Sequence, residues 1–238
     1  MNKLLKHLVN NRASGAGVKI EASTTEANVY VYDAIGYWGI EAEDFVKGIN
    51  SLKVNTINLR INSPGGDVFA ARAMKTALEA HQARVIVHID GIAASAASFL
   101  MLAGDEIKMA DGAFLMIHNP WGFAMGDATE MRSTAELLDK VTTALVNDYV
   151  HATGQSDAQI RDWMTAETWF TAKEAVDSGF IHAVTERKHA ENRFDLSAFR
   201  HPPDALSSVA ESPEEPFSAL ENDRDRMLAR LALFECAA

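Results

Sequence analysis

Apolar positions in this chain follow two rhythms, one of period two and one of period three to four, and their order outlines an α/β protein. Asn28-Val29-Tyr30-Val31-Tyr32 is rich in β-branched and aromatic residues and predicts a first strand. Ile35 to Gly39 turns the chain, and Glu41 to Leu52 places Phe45, Val46 and Ile49 on one face of an amphipathic helix. Thr56 to Ile61 is a second strand; it runs into Asn62-Ser63-Pro64-Gly65-Gly66-Asp67 and a helix from Val68 to His81. Val85 to Ile89 reads as a buried strand, after which Gly91 is expected to turn the chain into a helix whose first residue is Ala93. Glu106 to Met109 and Ala113 to Ile117 read as short strands about the Asp111-Gly112 turn. The longest helical pattern spans Ala128 to Ala152, with Met131, Leu137, Leu138, Val141, Leu145 and Tyr149 recurring at threes and fours. Ser156 caps a helix through Met164, Thr171 caps another over Ala172 to Ser178, and Phe180 to Val184 is the last strand.

The two ends read differently. Residues 1–27 give weak signals and are assigned to an N-terminal extension, with a flexible joint at Ala13-Ser14-Gly15-Ala16-Gly17. Residues 28–187 form the domain. After Arg187 the prolines, serines and acidic residues predict a flexible linker over 188–216, followed by an amphipathic helix over 217–238 that needs a surface to dock on.

With 238 residues and 47% hydrophobic content the chain buries a sizeable core, and its net charge of -11 offers no basic footprint for nucleic acid. The lone Cys236 excludes an internal disulfide framework, and no metal-ligand spacing is present, so neither a metal nor another cofactor is expected. MNKLLKHLVNNR lacks the apolar core of a signal peptide, and no run approaches a membrane span, so a soluble, cytoplasmic protein is expected.

Three features carry candidate chemistry. Ser95 sits among alanines at a helix start, where first-turn N–H groups favour developing negative charge; a tightly packed capping serine is the plainer reading. Gly65-Gly66 delivers a strand onto a helix, as an anion-binding loop or simply as a turn. His118 emerges where a strand opens into Asn119-Pro120-Trp121, projecting into a cleft or sitting satisfied in the core. Acyl transfer needs a nucleophile, a base and oxyanion donors, and these three supply the parts.

SPGGDV at Ser63 to Val68, GIAASAAS at Gly91 to Ser98, MIHNP at Met116 to Pro120 and TAKEAVDSGFI at Thr171 to Ile181 together resemble the Clp protease proteolytic subunit (ClpP) family. Within it, INSPGGDVFAA, HNPWG and ETWFTAKEAV look most like the ClpP-type head maturation (prohead) proteases of tailed bacteriophages. The resemblance implies a ClpP/crotonase-type fold of ββα units, with Ser95 as nucleophile and His118 as general base. It implies oxyanion donors at the N–H groups of Gly65, Gly66 and Ala96. The family's third triad member is an aspartate; the aligned position here is Glu167, with Asp162 one helical turn earlier as the alternative acid. It further implies a homo-oligomer, ring-shaped through a protruding handle helix at 128–152, acting on protein substrates, here capsid or scaffold segments. The N-terminal region does not match the loops that engage an unfoldase ATPase, so an ATP-independent endopeptidase is expected rather than a housekeeping subunit, and the acidic tail reads as removable or as a tether. Two other classes remain: a crotonase-like acyl-CoA binder, disfavoured by the Ser95/His118 pair and the lack of a basic CoA patch, and a non-catalytic shell component.

Overall fold

The protein is described by a computed structural model over residues 18–36, 39–186 and 194–206. The expected joint at 13–17, the rest of the linker and the C-terminal helix at 217–238 lie outside the described residues.

The described elements run β1 (Lys19–Ala22), β2 (Glu26–Val31), α1 (Ala42–Ser51), β3 (Thr56–Ser63), α2 (Val68–Glu79), β4 (Arg84–Ala94) and α3 (Ala96–Leu100). After a 3-10 turn at Met101–Ala103 come β5 (Glu106–Ala110), β6 (Phe114–Ile117), α4 (Ala128–Thr153), α5 (Asp157–Ala166), β7 (Thr168–Thr171), α6 (Ala172–Asp177) and β8 (Ala183–Thr185). All eight strands belong to one sheet, ordered β1-β2-β3-β4-β5-β8, with β6 added to β4 and β7 to β6. The pairs from β2 to β8 along that path are parallel, as strand-helix alternation requires.

Alternation explains which face is core. In β3, Ile57, Leu59 and Ile61 are fully buried, while Thr56, Asn58 and Arg60 between them are half-buried. Helices α1 and α2 cover the apolar face with Phe45, Ile49, Met74 and Leu78, all inaccessible to solvent. Each such side chain contributes about 1.5–3 kcal/mol by leaving water. Asp67 accepts from the Phe69 and Ala70 N–H groups to start α2, and Asp127 and Glu130 form a reciprocal capping box at the start of α4. Only the second half of α4 is anchored: Leu145, Val146 and Tyr149 are buried, whereas Met131 and Leu137 are exposed. Among the described residues no helix is long and apolar enough to cross a membrane.

β4 decides the architecture around Ser95. Its first part, Ile86 to Ile89, pairs with β5, and its second, Ile92 to Ala94, pairs with β6. The register with β3 also shifts between Ile61 and Ser63, and the Asn62 Oδ1 accepts the Ile92 N–H at 3.1 Å. Gly91 therefore marks a change of strand partner. The expectation of a turn at Gly91 and a helix from Ala93 is corrected: the strand continues to Ala94 and the bend falls on Ser95.

Three further expectations are corrected. The extension assigned to 1–27 contains β1, which pairs antiparallel with β2 through Lys19↔Tyr30 to Ala22↔Ala27. Thr171, read only as a helix cap, also ends β7 (Thr168–Thr171), antiparallel to β6. Within the expected linker 188–216, residues 194–206 pack as a strap. Phe194, Leu196, Phe199 and Leu206 are each less than a tenth exposed, clustering with Ile92, Ala94 and Met116. Four apolar side chains that find a sheet face to cover outweigh the polar composition between them.

On the sheet face away from α1 and α2 the Tyr32 hydroxyl donates to Asp90 Oδ2 at 2.5 Å, and Arg60 pairs with the other carboxylate oxygen. Burial, then the bond to Asp90, pushes the Tyr32 pKa up from 10.0 to about 12. The unfolded chain gives up this proton from about pH 10 while the fold retains it, so the contribution is complete below that pH and declines toward pH 12. In urea titrations across that window, Tyr32→Phe should lose stability with rising pH less steeply than the wild type. Parallel slopes would contradict this.

Candidate active site

Ser95 occupies the junction of β4 and α3 with φ 54° and ψ −123°, a conformation that a non-glycine residue adopts only when its surroundings enforce it. Its N–H donates to the Met116 carbonyl at 2.9 Å, and its own carbonyl accepts from the Ser98 N–H and hydroxyl at 3.0 and 2.6 Å. Ser98 is in turn 2.7 Å from the Tyr149 hydroxyl, tying the turn to the buried half of α4. The strain costs about 1–3 kcal/mol and turns a small side chain out of the strand end.

His118 follows the last residue of β6. Because β4 and β6 are parallel with Ala94 opposite Met116, both chains leave the sheet at the same end, and the Ser95 Oγ stands 2.7 Å from His118 Nε2. The Asn119 N–H donates to the Met164 carbonyl at 3.1 Å, fixing the loop beyond the histidine to the end of α5. Ser95 and His118 are both partly buried.

The glycine loop lies against this turn. A Cβ on Gly65 would stand 2.5 Å from the Ala94 carbonyl, 2.7 Å from Ser95 Cβ and 2.8 Å from the Ala96 nitrogen, so glycine is required for the approach. The Gly65 carbonyl accepts from Ile35, the Asp67 N–H donates to the Ile35 carbonyl, and the Gly65 N–H donates to Ser63 Oγ at 3.2 Å. Of the three expected donors, Gly65 is thus engaged within its own loop. Gly66 is exposed at the loop surface, and Ala96, as the first residue of α3, has no partner for its N–H inside that helix.

The two acids separate clearly. Glu167 is the left-handed C-cap of α5, with φ 54° and ψ 69°, and is 7% exposed; Asp162 is exposed on α5. Glu167 and His118 line one cavity of about 280 Å³, together with Trp121, Met164, Phe199 and Arg200. Glu167 Oε1 accepts the backbone N–H groups of Arg200 and His201 at 2.5 and 3.1 Å. Among the described residues no hydrogen bond joins Glu167 directly to His118. Nor is any group of three or more His, Cys, Asp or Glu side chains there arranged to hold a metal.

The Clp protease family profile matches residues 41–188, more than half of the chain and both halves of the Ser95/His118 pair. This chain belongs to the Clp protease family. It is a serine-type endopeptidase of that family. Over 132 residues it is 32% identical to an ATP-dependent Clp protease proteolytic subunit 1 of Leifsonia xyli subsp. xyli, covering 55% of this chain and 67% of that one. It is likewise 32% identical to a proteolytic subunit 2 of Mycolicibacterium paratuberculosis, over 54% of this chain and 66% of the relative. A Mycobacterium tuberculosis subunit 1 is 30% identical over 56% and 68%.

The family match ends at residue 188, before the strap that reaches Glu167 and His118. Sequence reasoning missed Phe199, Arg200 and His201 as neighbours of the site. The signal was present in Phe194, Leu196 and Phe199, an apolar series inside a stretch judged by its prolines and acids.

Proposed function

We propose that Ser95 is the nucleophile, His118 its general base and Glu167 the acid of a peptide-bond hydrolase. The reading rests above all on the 2.7 Å approach of Ser95 Oγ to His118 Nε2 at a strained strand end. Ser95 Oγ attacks the scissile carbonyl carbon while His118 Nε2 takes its proton. The resulting oxyanion is met by the Gly66 and Ala96 N–H groups. His118 then protonates the departing amine, leaving an acyl ester on Ser95, and a water activated by His118 hydrolyses that ester to the acid and free serine. Glu167 stabilises the imidazolium formed in each half.

The substrates we assign are capsid or scaffold segments cut during phage head maturation, without an ATPase. INSPGGDVFAA, HNPWG and ETWFTAKEAV support this subtype. The exposed Phe123, Met125, Met131 and Leu137 at and before the free half of α4 support a homo-oligomer, with that helix as the handle between subunits. A second reading, a subunit serving an unfoldase, is favoured by the relatives, which are ATP-dependent Clp protease proteolytic subunits. Incubating the purified chain with an unfolded polypeptide and with a phage scaffold protein, each with and without ATP and an unfoldase, separates the two. Nucleotide-independent cleavage of scaffold is expected; cleavage only with the ATPase would overturn the head-maturation reading.

A further inference from the structure

We propose that the strap at 194–206 is a positioning element of the active site: its backbone N–H groups hold the Glu167 carboxylate and its Phe199 ring seats His118. The inference rests on the triad roles proposed above.

An ionised carboxylate that is 7% exposed is costly unless donors replace its water. The donors seen on the Glu167 side chain both come from the strap, Arg200 N–H at 2.5 Å and His201 N–H at 3.1 Å. Both bonds fall on Oε1, which leaves Oε2 for another donor, and His118 is the imidazole sharing that cavity. A glutamate has one more rotatable bond than an aspartate, and two fixed N–H groups remove that freedom.

Phe199 acts on the other partner. Its ring meets His118 edge-to-face with centroids 5.7 Å apart, and meets Trp169 in the same way at 5.7 Å. A ring wedged there restricts rotation of the imidazole. The strap is anchored in the cluster holding Ala94 and Met116, the residue before Ser95 and the residue two before His118. Its apolar side chains therefore grip the ends of both strands that deliver the pair.

An inhibitory cover would bury the serine or part the pair. With the strap in place Ser95 is not fully buried and stands 2.7 Å from His118, so the contact supports the reactive arrangement.

The test uses the full-length chain. Rates of Ser95 labelling by a fluorophosphonate, and kcat and KM on a peptide substrate, are measured for Arg200→Pro, Phe199→Ala and Phe199→Tyr. Each is made alone and combined with Glu167→Gln. Arg200→Pro deletes one donor and should lower kcat about tenfold, with KM little changed. Phe199→Ala should do the same, and Phe199→Tyr, which keeps the ring, should recover most of the rate. In the Glu167→Gln background Arg200→Pro should cost less than about twofold, because the carboxylate it serves is gone. Equal losses in both backgrounds, wild-type labelling rates in Arg200→Pro and Phe199→Ala, or a rise in kcat would overturn the strap's role. No Ser95 adduct in the wild-type chain would instead overturn the triad reading beneath it. Should Phe199→Ala fail to fold, Arg200→Pro and its coupling to Glu167→Gln decide the matter.

Discussion

Ser95→Ala should remove peptide hydrolysis on the order of a millionfold while leaving a folded protein, because the atom that forms the acyl bond is gone. His118→Ala should cost nearly as much. The double variant should be little worse than either single one, since a nucleophile 2.7 Å from its base works as a unit. The turn adds a second expectation. At φ 54° and ψ −123° alanine is as strained as serine, whereas glycine is not. Ser95→Gly, equally inactive, should therefore be more stable than Ser95→Ala by about 1 kcal/mol. Chemical unfolding of the two inactive variants measures that strain directly. Glycine being no more stable than alanine would show that the turn stores none.

Gly65→Ala should have the next largest effect. The new Cβ would press on the Ala94 carbonyl, Ser95 Cβ and the Ala96 nitrogen at 2.5, 2.7 and 2.8 Å, and φ is +91°. All three atoms belong to the backbone or stem of the nucleophile turn, so none can swing aside as a side-chain tip would. Either the loop withdraws, taking the Gly66 N–H with it, or Ser95 moves off His118. A loss of about 10²–10³ in kcat is expected, the size of a misplaced oxyanion donor, with a stability loss of about 1–3 kcal/mol. Gly154→Ala is the control. That glycine has φ +70° at the end of α4 but open space around its Cβ position. It should lose about 1 kcal/mol of stability and keep its turnover. Equal kinetic losses in the two would tie the effect to backbone strain rather than to the approach on Ser95.

The sequence revealed most where a periodic pattern and a local signal agreed. β3 and α2 were legible because Ile57, Leu59 and Ile61 alternate and the Pro64-Gly65-Gly66 loop separates the strand from the following helix. The end of α4 was marked by Gly154, and α6 by the Thr171–Glu174 capping box. What failed depended on partners distant in the chain. Gly91 carries the usual mark of a turn, yet Asn62 and β6 keep the chain in the sheet beyond it. β1 has only Ile20 and Ala22 on an alternating series, too little until β2 lies beside it. Ser95, Gly65 and His118 were legible as residue types, but the bend at Ser95 follows from which strand each half of β4 joins. The strap was hidden because composition was read over the whole linker, whereas burial depends on Phe194, Leu196, Phe199 and Leu206 alone.

The most direct measurement is to label the purified, assembled protein with a fluorophosphonate and locate the adduct by peptide mass spectrometry, in the wild type and in Ser95→Ala and His118→Ala. An adduct on Ser95 that is absent from both variants is the expected result and identifies an activated nucleophile. No adduct in assembled wild-type protein, or one on Ser95 that forms equally fast without His118, would contradict a Ser95/His118 acyl-transfer site.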